Sequence, residues 1–206
     1  MIRGAVLGSP INHSLSPVLH RAAFEYMGAA GSYEAIDVPS GTLREFFLAH
    51  ESDFDYFSLT MPLKEEAHML NVTCDELSLR IGSINTLYKR EGRWFGTSTD
   101  GSGFLAALAA QGYSTISHAL ILGAGGTARA VAGALDGNVE TLTVMGRTST
   151  RKDALESCVE KSTFNYLPWI SDPEINSYDL IINTTPAGAA DLLAENLPLQ
   201  VTGLLF

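Results

Sequence analysis

The stretch His118-Ala-Leu-Ile-Leu-Gly-Ala-Gly-Gly-Thr-Ala-Arg129 decides the fold of this 206-residue chain. A short apolar run, typical of a buried strand, leads into Gly123-x-Gly125-x-x-Ala128, which opens a predicted helix. The first glycine permits a tight turn, the second lets a pyrophosphate approach the backbone, and the small Ala128 allows close helix–strand packing. The helix N-terminus favours the phosphate charge. The pattern predicts a dinucleotide-binding Rossmann unit, and a purely structural glycine turn is the alternative.

The strand that follows indicates which nicotinamide cofactor binds. NAD enzymes carry an acidic residue about 20 positions after the glycine turn, where it binds the ribose 2′-hydroxyl. Here the predicted strand 142–145 leads into two arginines instead. Their guanidinium groups can face a 2′-phosphate, and a solvated basic helix start is the alternative. The predicted NADP site comprises Gly123, Ala124, Gly125, Gly126, Thr127, Ala128, Gly146, Arg147, Thr148 and Arg151.

Strand-like and helix-like segments alternate along the whole chain, which predicts the α/β class with parallel sheets. The predicted strands are 2–7, 32–38, 54–59, 84–88, 94–97, 119–122, 142–145 and 180–182. One predicted helix begins at Ser16-Pro17. The other predicted helices are 42–50, 62–70, 103–111, 127–135 and 151–159. The expected apolar face of the first helix consists of Val18, Leu19, Ala22, Ala23, Tyr26 and Met27. Glu91-Gly92 predicts a hairpin.

Composition excludes several classes of protein. The formal net charge is -10 with only 13 Lys and Arg, so a nucleic-acid partner is not expected. No stretch approaches the roughly 18 apolar residues of a membrane span. The two cysteines and five histidines lack the spacing of a metal site, so no metal is expected. The few, unpaired cysteines favour a location in the reducing cytoplasm. Composition leaves open whether the chain is a monomer or a homodimer.

Four segments concentrate small polar residues at the ends of predicted strands: 14–16, 58–64, 83–86 and 97–101. Ligands of open α/β sheets bind at the carboxyl ends of strands. Hydroxyls, an amide, one ammonium and one carboxylate suit a polyhydroxylated acid. Any one of these segments could instead cap a helix or form a turn.

These motifs, in this order, closely resemble the shikimate dehydrogenase family. The matching runs are Gly8-Ser-Pro-Ile-x-His-Ser-Leu-Ser-Pro17, Leu59-Thr-Met-Pro-Leu-Lys64, Ile84-Asn-Thr86, Ser98-Thr-Asp-Gly-x-Gly-Phe104, Gly123-Ala-Gly-Gly126, Gly146-Arg-Thr148 and Ile182-Asn-Thr-Thr-Pro-x-Gly188. The resemblance implies two α/β domains, a substrate-binding domain over residues 1–102 with a mainly parallel sheet and a Rossmann NADP-binding domain over 103–206. It places the active site in the cleft between them. The implied reaction is the reversible NADPH-dependent reduction of 3-dehydroshikimate to shikimate, in the biosynthesis of chorismate and the aromatic amino acids.

The resemblance also implies roles for single residues. Lys64 and Asp100 match the family's catalytic pair, and both also contact the substrate. Further substrate ligands by this resemblance are Ser14, Ser16, Thr60 and Asn85, and Glu76 is expected near the nicotinamide. A lysine ammonium can stabilise the developing alkoxide and donate its proton. Outside this motif, Lys64 would be interpreted as a solvated helix residue beside Glu65 and Glu66.

The chain also departs from the family's pattern. Ser58 and Ser98 stand where the family usually has Asn, and Leu63 stands where it commonly has His. Family members continue past the region of Phe206, so a fragment is the expected interpretation and a shortened variant the alternative. Two functional alternatives stay open, an enzyme that also accepts quinate and a non-catalytic NADP-binding module.

Overall fold

The computed structural model describes residues 1–113, 115–169, 174–196 and 203–206. The chain forms two compact units, Met1–Thr99 and Asp100–Phe206. Each unit contains one β-sheet with helices, so the predicted α/β class is confirmed. Substrate binding by the predicted domain 1–102 and NADP binding by the predicted domain 103–206 stay predictions. Among the described residues, no helix combines the length and apolar character needed to cross a membrane.

The first unit is built on a six-stranded mixed sheet with the order β2-β1-β3-β5-β6-β4. Its strands are β1 Ile2–Gly8, β2 Gly31–Asp37, β3 Tyr56–Leu59, β4 Thr73–Cys74, β5 Thr86–Arg90 and β6 Arg93–Thr97. Its helices are α1 Ser16–Met27, α2 Leu43–His50 and α3 Glu76–Ile81. Strand β1 pairs in parallel with β2 and β3, whereas β5 is antiparallel to β3 and β6. The predicted hairpin is confirmed, since Glu91 and Gly92 both have positive φ, as a tight two-residue turn between twisted strands requires.

The core of the first unit lies on the face of the sheet that α2 covers. Leu43 and Phe47 of α2 pack there against Phe57 of β3 and Trp94 of β6. The Phe57 and Trp94 rings stack with centroids 5.4 Å apart. Burial of these side chains fixes the register of the strands and hence the positions at which they end.

Two predictions about helices in this unit were wrong. The expected apolar face of α1 is exposed, with Tyr26 94% accessible, and the helix packs instead through Phe24 against Gly31. Apolar residues occupy most of the circumference of α1, so periodicity alone does not select one face. Residues 62–70 form turns and a short 3-10 helix, Ala67–Met69, rather than an α-helix. The Lys64 carbonyl there accepts a hydrogen bond from the amide of Ile84.

The second unit contains a five-stranded parallel sheet with the order β11-β10-β7-β8-β9. Its strands are β7 His118–Leu122, β8 Thr141–Gly146, β9 Thr163–Pro168, β10 Leu180–Asn183 and β11 Leu204–Leu205. Its helices are α4 Asp100–Ala110, α5 Gly126–Leu135, α6 Lys152–Glu156 and α7 Asp191–Ala194. Helix α4 therefore begins three residues before its predicted start at 103. The order is that of a doubly wound Rossmann sheet, with its switch point between β7 and β10, where ligands of such sheets bind.

Candidate active site

The strands of the first unit bring several site segments to one edge of the sheet. Strands β1 and β3 run in parallel and both end at this edge, the first at Gly8 and the second at Leu59. Because β5 is antiparallel to β3, it begins at the same edge, and β6 ends there. The cross-strand pairs Ser58–Thr86 and Thr86–Thr97 mark this edge. Strand order also reverses around β1, so this edge is a topological switch point, the kind of position at which ligands of open α/β sheets bind.

The turn that carries Lys64 is fixed at both ends. The amide of Thr60 donates to the carbonyl of Leu7 at 2.9 Å, and the carbonyl of Lys64 accepts a hydrogen bond from the amide of Ile84 at 2.9 Å. The Leu63 side chain is fully buried in the core, which explains how an apolar residue is accommodated where the family commonly has His. Lys64 itself is half-buried at the edge of the sheet.

Glu66 anchors the same turn to the loop after β2. One carboxylate oxygen accepts hydrogen bonds from the Ser40 hydroxyl at 2.5 Å and from the amide of Gly41 at 2.9 Å. The other oxygen lies 3.0 Å from the same amide. Sequence reasoning missed this support, because the partners are 25 and 26 residues away.

The Asn85 side chain connects two segments of the site. Its Oδ1 accepts hydrogen bonds from the Thr86 hydroxyl at 2.8 Å and the amide of Thr99 at 3.0 Å. Its Nδ2 donates to the Thr99 hydroxyl at 3.0 Å. These bonds fix the orientation of the amide and hold the residue before Asp100. Asp100 itself is the first residue of α4 and of the second unit.

Two further groups of predicted residues lie in the first unit. The Ser14 hydroxyl accepts a hydrogen bond from the amide of Ser16, the first residue of α1, at 3.3 Å, so both serines follow β1. Glu76 is the exposed first residue of α3, which Asp75 caps by accepting a hydrogen bond from the amide of Ser78 at 2.7 Å. Burial acts to raise the pKa of Asp75, but the hydrogen bonds of Ser78 and Thr97 outweigh it and leave that pKa below its usual value.

The glycine turn of the second unit has the geometry that its sequence predicts. Gly123 has a φ of 111°, and a Cβ there would lie 2.5 Å from the Thr184 hydroxyl oxygen, so only glycine fits. Gly125 caps α5 and has open space where a side chain would stand. Ala128 is fully buried. The turn thus offers backbone amides and free space to a pyrophosphate, as the cofactor requires.

The segment after β8 lies beside this turn. Arg147 is exposed, and the Arg151 guanidinium donates to the carbonyl of Ala124 in the glycine turn at 3.2 Å. Tyr166 of β9 crosses over Gly146, where any side chain would collide with it, and donates to the carbonyl of Thr148 at 2.6 Å. Burial raises the pKa of Tyr166, partly offset by the charge of Arg151. The residues present therefore fit an anionic cofactor with an added phosphate.

Sequence reasoning missed Tyr166, since β9 was not predicted and the tyrosine lies in no motif. Its only indication was the glycine at position 146, which marks a close approach of some other group to the backbone. Among the described residues, no group of three or more His, Cys, Asp or Glu side chains is arranged to hold a metal ion.

Comparison with known proteins identifies the family. A family model described as the shikimate dehydrogenase substrate binding domain matches residues 6–87. A curated shikimate dehydrogenase (NADP(+)) from Exiguobacterium sp. (strain ATCC BAA-1283 / AT1b) is 39% identical over 204 residues, covering 97% of this chain and 73% of the relative. The chain belongs to the shikimate dehydrogenase family. A shikimate dehydrogenase (NADP(+)) from Thermus thermophilus is 41% identical, covering 98% of this chain and 74% of the relative.

A solved structure of shikimate dehydrogenase supports the same relationship. The Thermus thermophilus enzyme in complex with NADP(H) and shikimate superimposes with a TM-score of 0.83 at 39% sequence identity. The match covers 98% of this chain and 76% of the Thermus chain. The two-domain α/β fold implied by the sequence is therefore that of shikimate dehydrogenases.

Proposed function

We propose that this chain is an NADP-dependent shikimate dehydrogenase, which reduces the ketone of 3-dehydroshikimate to the hydroxyl of shikimate and catalyses the reverse reaction. The observation that carries the proposal is Lys64 on a fixed turn at the switch point of the first sheet, in a chain that matches curated shikimate dehydrogenases over nearly its whole length. The reaction belongs to the biosynthesis of chorismate and the aromatic amino acids. We place the protein in the cytoplasm, as a monomer or homodimer.

The substrate is a polyhydroxylated acid, and the side chains at the edge of the first sheet suit it. Hydroxyls of Ser14, Ser16 and Thr60 and the amide of Asn85 are proposed to bind its hydroxyls and carboxylate. The Asn85 amide already has a fixed orientation through Thr86 and Thr99. A fixed donor and acceptor set lowers the entropy lost when the substrate binds.

The cofactor is proposed to bind the glycine turn of the second unit. Backbone amides from Gly123 to Ala128 would hold the pyrophosphate, and Gly146 and Thr148 would line the ribose side. The Arg147 and Arg151 guanidinium groups would bind the 2′-phosphate, which selects NADP over NAD. Glu76 is proposed to lie on the nicotinamide side.

Lys64 and Asp100 are proposed to perform the proton chemistry. When bound, NADPH supplies the hydride, and with it both electrons of the reduction. The Lys64 ammonium donates a hydrogen bond to the ketone oxygen, stabilises the negative charge that develops there, and transfers its proton as the new hydroxyl forms. In the reverse direction the neutral Lys64 amine accepts that proton. Asp100 would orient the lysine and accept a hydrogen bond from the neighbouring substrate hydroxyl.

The two alternatives receive less support. A non-catalytic NADP-binding module has no need of both Lys64 and Asp100, and the curated relatives are named as enzymes. An enzyme for quinate requires room for an extra hydroxyl near Ser14 and Ser16. Two serines at these positions, rather than a serine and a threonine, favour shikimate by resemblance to the family.

Steady-state assays of the unmutated chain test this function. We expect shikimate-dependent reduction of NADP, which the absorbance of NADPH measures. The kcat/KM is expected to be higher than when quinate replaces shikimate or NAD replaces NADP. Binding of NADP without any turnover of shikimate would contradict the proposal. Comparable turnover of quinate would instead support the broader specificity.

A further inference from the structure

Ser58 begins the polar segment 58–64 at the edge of the first sheet where the proposed substrate ligands lie, but it has no assigned role among them. It lies on β3, and Thr60 follows the end of that strand two residues later. Its cross-strand partner is Thr86, whose hydroxyl donates to the Asn85 side chain. Ser58 is half-buried. Position 58 therefore adjoins the segments that carry Thr60 and Asn85, the proposed substrate ligands.

Tyr33 connects β2 to this position across β1. Its hydroxyl donates a hydrogen bond to the Ser58 hydroxyl oxygen at 2.7 Å. The ring crosses Gly4, where a Cβ would lie 2.8 Å from it, so the absence of a side chain on β1 makes the contact possible. Tyr33 is only 5% exposed.

Aromatic neighbours hold the Tyr33 ring in place. His20 of α1 stacks on it with centroids 3.8 Å apart and planes 1° from parallel. His20 in turn is hydrogen-bonded through Nδ1 to the Tyr56 hydroxyl at 2.8 Å. Burial raises the pKa of Tyr33, so the phenol stays protonated and remains a donor.

The direction of this hydrogen bond determines what Ser58 can offer. Tyr33 places its proton on the serine oxygen, which leaves the serine's own hydrogen for another acceptor. No described residue accepts a hydrogen bond from that hydroxyl. Ser58 is thus a pre-oriented donor at the substrate edge, where the family usually has the longer Asn.

We propose that Tyr33 is a positioning residue, which orients the Ser58 hydroxyl to donate a hydrogen bond to an oxygen of the substrate ring. The inference rests on the proposed function, because it assigns a further contact in the same site.

A double-mutant cycle tests the proposal. The dissociation constant for shikimate is measured by titration calorimetry with NADP present, for the unmutated chain, Tyr33→Phe, Ser58→Ala and the double variant. We expect each single variant to weaken binding by about three- to tenfold, as the loss of one hydrogen bond does. Since both act through one contact, the double variant is expected to weaken binding no further than Ser58→Ala alone.

The control is Tyr26→Phe, since Tyr26 is 94% exposed and is expected to leave the affinity unchanged. Thermal unfolding of each variant separates a loss of fold from a loss of contact. Equal affinity in Tyr33→Phe and the unmutated chain, or fold-changes that multiply in the double variant, would overturn the positioning role alone. Absence of shikimate binding in the unmutated chain would overturn the proposed function together with it.

Discussion

Arg147 and Arg151 occupy different environments, although both follow β8. Arg151 is bonded to the carbonyl of Ala124 in the glycine turn, whereas the Arg147 side chain is exposed. Tyr166 fixes the backbone between them through the carbonyl of Thr148. Arg147 can therefore turn towards a phosphate without breaking an internal hydrogen bond to the glycine turn.

We predict that Arg147→Ala raises the KM for NADP by about ten- to a hundredfold, because charge-assisted hydrogen bonds to a phosphate contribute roughly 1.5–3 kcal/mol. The kcat with saturating NADP and the KM for NAD are expected to stay the same, since NAD lacks the 2′-phosphate. Steady-state kinetics with both cofactors measure this. Arg93→Ala, which removes an exposed arginine of β6, is the matched control. An equal rise of the KM for both cofactors would contradict the phosphate assignment.

At the scale of single elements, α4 contains two glycines in contrasting surroundings. Gly101 is buried where α4 meets α5, and a Cβ there would lie 2.7 Å from the carbonyl oxygen of Ala130. Gly103 is exposed, and a Cβ there would meet no atom within 4 Å. Packing of α4 against α5 therefore requires glycine at position 101 but not at position 103.

We predict opposite effects on stability for the same substitution at these positions. Gly101→Ala is expected to lower the free energy of unfolding by about 1–3 kcal/mol, because the helices must separate. Gly103→Ala is expected to raise it by about 0.4–1 kcal/mol, since alanine reduces the entropy of the unfolded chain. Urea unfolding of both variants, followed by circular dichroism, measures the difference. Two shifts of the same sign would contradict this account of the helix contact.

Asp179 connects the starts of two neighbouring strands, β10 and β7. One carboxylate oxygen accepts hydrogen bonds from the amides of His118 and Ser117, both at 2.9 Å. These bonds hold the pKa of Asp179 below its usual value. A carboxylate with a lowered pKa stabilises the fold fully above its unfolded pKa, about 3.9 for aspartate, and loses this effect as the pH falls through the folded value.

We predict that Asp179→Asn lowers the free energy of unfolding at pH 7 by about 0.5–1 kcal/mol, a small effect because the site is exposed to solvent. The difference from the unmutated chain is expected to shrink as the pH falls from about 4, the unfolded pKa of aspartate, through the lowered folded pKa of Asp179. Urea unfolding across this pH range measures it. Glu140→Gln serves as the control and should show no loss at pH 7. A difference that is independent of pH would exclude the carboxylate as the cause.

On the scale of the whole molecule, the sequence predicted those features that depend on local chemistry. The glycine turn after β7 and the Glu91-Gly92 hairpin both require positive φ angles. Glycine adopts these angles without steric cost, so its presence in the sequence predicts the turns. The parallel sheet of the second unit followed from alternating strands and helices, whereas the first sheet is mixed because β5 is antiparallel to both of its neighbours. The roles of Lys64, Asp100 and the other site residues stay predictions until variants are measured.

The features that the sequence did not predict depend on tertiary contacts. Residues 62–70 have helical periodicity, but long-range bonds of the Lys64 carbonyl and of the Glu66 carboxylate hold them as turns. The packed side of α1 is set by Phe24 against a glycine of the next strand. Tyr33 and Tyr166 each reach across a neighbouring strand to a partner that no local motif identifies.

The most direct test of the central claim compares the unmutated chain with Lys64→Ala for reduction of NADP by shikimate. We predict that kcat falls by about a hundred- to ten-thousandfold, as loss of a general acid–base group requires, while the affinity for NADP is unchanged. Lys161→Ala, an exposed lysine of the second unit, is expected to keep full activity. Retention of the unmutated rate by Lys64→Ala would contradict the assignment of the proton chemistry to this lysine.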